Sequence, residues 1–228
     1  MIKRNLLDAV TEARQREADL EALCTDELPD PSGRWRAQDH LAHLAWVRER
    51  DAKMLDAVRS DGEIPTEFEG DLSAAIYEAT RDQAVSTVIA NARRSWDLFE
   101  SAIEASSDED FERPHPRQQG RKLVDDSPGN HLGAHVMWVL LEKGDEKGAE
   151  SVQLWARDLS ARLFTDARSR GVGSYNLACF YARVGRAGDA LPLLREGLED
   201  APDLKEWSLK DPDLDPIRDD PRVRELLA

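Results

Sequence analysis

Four of the five histidines fall in two tight pairs, His40 with His43 and His131 with His135. The second pair has i, i+4 spacing. On a helix that puts both imidazoles on one face, one turn apart, where two ligands of a single ion can be held. His43 lies on the side of its own helical stretch that also carries Val47 and Met54, so it can point into a bundle. Three imidazoles from two helices suit Zn²⁺ or Ni²⁺ and could leave a coordination position open for water or substrate. Paired histidines also occur on helices without metal, so spacing alone leaves a structural role open beside the metal site. His115, between Pro114 and Pro116, reads as a surface residue. The stretch 112–126, with Arg113, Arg117, Arg121 and Lys122, could hold an anionic substrate, but it reads first as a solvated charged loop.

The elements that must position these groups read as helices throughout. Leu6, Leu7, Val10, Ala13, Leu20 and Leu23 predict a helix over 5–28, stopped by Pro29-Asp30-Pro31-Ser32-Gly33. A second runs over 36–60 and ends at Asp61-Gly62. A third covers 71–105, with a break near Thr80 and an apolar side from Val85 to Ile103. A fourth starts near Ser127 as N-cap, with Pro128 at its first position, and runs to 143. Beyond it, a helix over 149–168 is broken by Gly171-Val172-Gly173, and two short helices, 174–184 and 187–199, flank Gly185. A last short helix, 221–227, follows Asp220 as N-cap. The expected class is all-α: a four-helix bundle over 1–147, then a short helical module over 148–228.

Composition narrows the partners. A net charge of −15 repels phosphate backbones and acidic membrane surfaces, and the short basic groups lie among acids, so neither nucleic acid nor membrane is an expected partner. Cys24 and Cys179 each sit in an apolar helical pattern and read as buried, reduced thiols. With no apolar run long enough for a leader or a membrane span, the expected location is the cytoplasm.

The stretch from Trp35 to Trp46, WRAQDHLAHLAW, resembles the second helix of the DinB-like superfamily, which includes thiol-dependent S-transferases and the N-terminal domain of mycothiol-dependent maleylpyruvate isomerase. Trp35, His43 and Leu44 carry the match, and His131-Leu132-Gly133-Ala134-His135 resembles the H-x3-H pair of that superfamily's last bundle helix. The resemblance covers about residues 1–145. It implies a divalent metal on His43, His131 and His135 that activates a bound low-molecular-weight thiol or water, with His40 as a supporting group or alternative ligand. It also makes a homodimer an expected assembly.

Residues 174–202 are similar to a tetratricopeptide repeat. Leu177, Ala178 and Tyr181 match its first helix, Ala190, Leu194 and Gly197 its second, and Pro202 its close. Ser174 stands where that family favours Trp, and Pro192 falls early in the second helix. The Asp- and Pro-rich ending resembles the segment that closes a final repeat and reads as a cap on the stack, with a peptide groove as the functional alternative. Two functions follow as expectations. One is a metal-dependent transferase or hydrolase acting on a small molecule, with an attached interaction module for a protein partner. The other is a non-catalytic interaction protein whose histidines are structural.

Overall fold

The computed structural model describes residues 2–30, 32–63, 71–113 and 128–227. Every regular element among them is helical, giving an all-α protein made of a helical bundle followed by a helical module. The chain divides into two compact units, Met1–Pro128 and Gly129–Ala228.

The first unit holds α1 (Ile2–Ala22), α2 (Ala37–Arg59), α3 (Leu72–Thr80), α4 (Val85–Ala105) and a 3₁₀ turn, Asp110–Glu112. α1 stops six residues short of the expected end. Past Leu20, Leu23 is only half-buried and Leu28, at the expected end, is 87% exposed, so little burial holds further turns. The expected break near Thr80 separates α3 from α4, and the Asp71 carboxylate caps α3 by accepting from the Ala74 N–H at 3.1 Å. α2 packs on α4, α1 on both, and α3 on α2. Leu6, Leu20, Leu41, Leu55, Phe99 and Ile103 fill the core. Through this core runs a buried ion pair: Arg48 of α2 donates to both oxygens of Glu17 on α1, at 2.6 and 2.8 Å.

The second unit holds α5 (Asn130–Glu142), α6 (Glu146–Leu163), α7 (Ala167–Arg183), α8 (Ala187–Asp200), α9 (Leu204–Ser208), a 3₁₀ segment (Pro212–Ile217) and α10 (Pro221–Leu227). Asp145 and Asp166 cap α6 and α7 through the Gly148 and Ser169 N–H groups, both at 2.9 Å. Gly144 and Gly185 end α5 and α7 with φ of +77° and +75°, a region only glycine enters cheaply. The expected domain line falls after residue 147; the division after Pro128 sets α5 with the helices that follow it, packed on α6 and α7. α5 opens at Asn130, two residues past Pro128, and the expected cap Ser127 lies outside the described residues.

One expectation fails outright. Gly171-Val172-Gly173 does not break a helix but lies inside α7. A Cβ on Gly171 would stand 2.8 Å from the Asp200 Cβ and 2.9 Å from the Ala201 nitrogen, and one on Gly173 3.4 Å from the Arg157 Cα. These glycines let α7 lie close to α6 and to the end of α8; they serve packing, not termination. Gly197 does the same from α8, where a Cβ would meet the Tyr175 backbone nitrogen at 2.9 Å. Pro192 is tolerated within α8, on its exposed side. Downstream, Arg218 donates to the carbonyls of Ser208, Leu209 and Asp211, tying the ending to itself, with Leu214 and Ile217 buried.

Candidate metal centre

His43 is set by the opening turns of α2. The Asp39 carboxylate at the third helical position accepts from the Arg36 N–H at 2.7 Å and pairs with the Arg36 guanidinium at 2.8 Å, fixing where the helix begins. From Ala37 to Ala45 every side chain is buried. Trp35, just ahead of the helix, lies over this first turn. Its ring centroid is 5.2 Å from that of His40 and 5.3 Å from that of His43, and it stacks on Tyr77 of α3 at 6.1 Å. A tryptophan at the helix start followed by His two turns on is therefore one packed cluster. Burial pushes the His40 imidazole down to about 4, with Asp39 opposing and His43 adding to the shift, so His40 is neutral near pH 7.

His131 and His135 are set by α5, and α5 by two glycines. A Cβ on Gly133 would stand 2.8 Å from the Ala156 Cβ, and one on Gly129 3.3 Å from the Leu159 side chain, so α5 lies against α6 at a separation only glycine allows. The imidazoles meet with their Nε2 atoms 3.1 Å apart and their rings edge to face at 4.7 Å. Trp138, one turn on, meets the His135 ring edge-on at 5.0 Å. His135 is buried and His131 half-buried.

The 3.1 Å separation fits shared ligation. Two nitrogens each about 2.0–2.1 Å from one ion, at right or tetrahedral angles, stand about 2.8–3.4 Å apart. His131 and His135 thus offer two imidazole nitrogens to one ion, and His43 is a buried imidazole of the first unit.

No protein-family model, curated protein or solved structure matches this chain. The chemistry of the site rests on its own residues.

Of the other candidates, Arg113 donates to the Val58 carbonyl at 2.9 Å and lies 3.6 Å from Asp110, a local tie. His115, Arg117, Arg121 and Lys122 lie outside the described residues. Neither cysteine forms a disulfide: Cys179 is buried and Cys24 half-buried. No helix among the described residues is long and apolar enough to cross a membrane. The buried pair Glu17 and Arg48 is not among the residues expected from sequence. The available signal was one acid on the apolar stripe of α1, between Ala13 and Leu20, and one base on that of α2, between Leu44 and Leu55.

Proposed function

We propose that this chain is a divalent-metal protein of the DinB-like type, with His43, His131 and His135 holding Zn²⁺ or Ni²⁺, that acts on a small molecule as a thiol-dependent S-transferase or a hydrolase. The observation that carries the reading is the 3.1 Å approach of the His131 and His135 Nε2 atoms on one helix, and His43 is the third donor that the resemblance implies. Nitrogen-only donors favour Zn²⁺ and Ni²⁺ over Mg²⁺ or Ca²⁺, which take oxygen. A bound ion of this kind supplies a Lewis acid that makes a thiol or water nucleophilic near neutral pH. Trp35 and Trp138 wall the imidazoles and restrict their rotation, which preorganises the donors. The α7–α8 pair, similar to a tetratricopeptide repeat, serves in this reading as the module that meets a protein partner.

A second reading comes from the same distance. At 3.1 Å one imidazole N–H can donate to the other ring's nitrogen, and the pair is then a structural hydrogen bond in an interaction protein.

Elemental analysis of tag-free protein separates the two, alongside His43→Ala and His135→Ala checked for retained helicity. The metal reading expects about one Zn²⁺ or Ni²⁺ per chain in the parent and its loss in both variants. Parent protein that stays metal-free after reconstitution with either ion would overturn it and leave the hydrogen-bonded pair.

A further inference from the structure

A cavity of about 340 Å³ opens within the second unit, among α5, α6, α7 and the segment that follows α9. That is the size range of sites for small organic ligands. Trp138, Tyr175 and Trp207 line it with aromatic rings, and Gln153, Asp211 and Asp213 supply polar groups.

Gln153 points to a ligand. It lines the cavity and is 1% exposed, and its buried Nε2 has no hydrogen-bond partner among the described residues. A stranded buried amide N–H is unfavourable, and one that faces a cavity is completed by whatever fills it.

The charge of the lining says what kind of ligand. Asp211 is held in place: its Oδ2 accepts from the Tyr175 hydroxyl at 2.7 Å and the Trp207 indole at 2.9 Å, and its Oδ1 from the Asp213 N–H at 3.0 Å. Among the described residues no lining side chain is basic; Arg183 pairs with Asp213, and Arg218 donates to the Asp211 backbone carbonyl. Burial holds the Asp213 carboxyl above its usual range although Arg183 opposes it. Aromatic faces beside carboxylates attract cations on apolar bodies and repel anions.

We propose that this cavity binds an organic cation: an amine or guanidinium on an apolar body, with an oxygen acceptor for the Gln153 amide. The cation lies toward Asp211 and Asp213, the body against the rings. Trp207, 46% exposed, forms the outer wall. A free amine and an arginine side chain of a peptide share this chemistry. The proposal does not depend on the metal reading.

Calorimetric titration of the full chain tests it, with phenethylamine, its neutral counterpart phenethyl alcohol, and an acetylated Gly-Arg-Gly amide peptide as probes. The parent should bind at least one cation about tenfold or more tighter than the alcohol, and Asp213→Asn should lose that preference. Binding of the amine alone assigns a free small molecule; binding of the peptide alone assigns a partner's side chain. Gln153→Met should weaken binding while leaving the melting temperature unchanged or higher, which a purely structural glutamine would not do. Equal binding of the alcohol, no cation bound up to about 10 mM, or a preference that survives Asp213→Asn would overturn the assignment.

Discussion

The buried Glu17–Arg48 pair offers the sharpest test of how the first unit is held together. Arg48 is 2% exposed and Glu17 1%. Each guanidinium terminal nitrogen meets a separate carboxylate oxygen, Ser95 Oγ accepts from Arg48 Nε at 3.0 Å, and Trp96 Nε1 donates to Glu17 at 2.8 Å. The guanidinium also lies 4.0 Å from the centre of the Trp96 ring. Glu17→Gln keeps an oxygen for the Trp96 indole but removes the charge and sets an amide NH2 against one Arg48 donor. It leaves Arg48 buried and uncompensated, at a cost of about 3–5 kcal/mol. With a urea dependence of about 2 kcal/mol per molar, the unfolding midpoint should fall by about 1.5–2.5 M. Arg48→Met strands the carboxylate instead, and a carboxylate can take a proton. Burial already holds Glu17 above its usual range with Arg48 opposing; without Arg48 it rises further. The folded state then binds the proton more tightly than the unfolded chain. Stability of Arg48→Met is therefore greatest below the unfolded carboxyl's pKa and is lost as pH rises through the folded one. Replacing both residues with Leu and Met should cost about 1–2 kcal/mol, far less than the two single losses summed, because only the Trp96 indole is left unpaired, Ser95 still donating to the Ala92 carbonyl. Urea unfolding followed by circular dichroism at pH 5 and pH 8 reads all of this. A Glu17→Gln midpoint within about 0.3 M of the parent, or an Arg48→Met loss that ignores pH, refutes the reasoning.

Two further outcomes follow from local geometry. Gly133→Ala puts a Cβ 2.8 Å from the Ala156 Cβ, two rigid helix atoms that cannot swing aside. Overpacking of about 1–3 kcal/mol exceeds the helix-propensity gain of about 1 kcal/mol, so Gly133→Ala should lower stability, whereas Gly188→Ala, with nothing within 4 Å, should hold or raise it; equal melting temperatures would show that α5 and α6 are not pressed together. For Cys24, burial first, then Glu21, Asp39 and Glu17, push the thiol up to about 12 from an ordinary 9.0. Only the thiolate reacts, so alkylation by iodoacetamide at pH 8 should run roughly 1000-fold slower than in the urea-unfolded chain; mass spectrometry showing similar rates in the two states would remove the burial argument.

What could be read from sequence, and what could not, divides along one physical line. Periodicity reports which face of a helix is apolar, so the helices, the break near Thr80 and the turn at Gly185 were legible. The spacing of His131 and His135 fixes their common face, and the observed 3.1 Å approach is the direct consequence. Glycine is where periodicity misleads. The same residue that ends α7 at Gly185, with φ of +75°, runs unbroken through α7 at Gly171 and Gly173. Nothing local separates the two uses; a neighbouring helix decides, through Asp200, Ala201 and Arg157. The charges on apolar stripes follow the same rule. Glu17 and Arg48 each break their own pattern, and each is explained only by the other, 31 residues away. Gly133 joins both themes: it sits between the two histidines, and its missing side chain sets how close α5 approaches α6. The histidine spacing was visible in the sequence, but the depth at which that helix seats is written in Ala156.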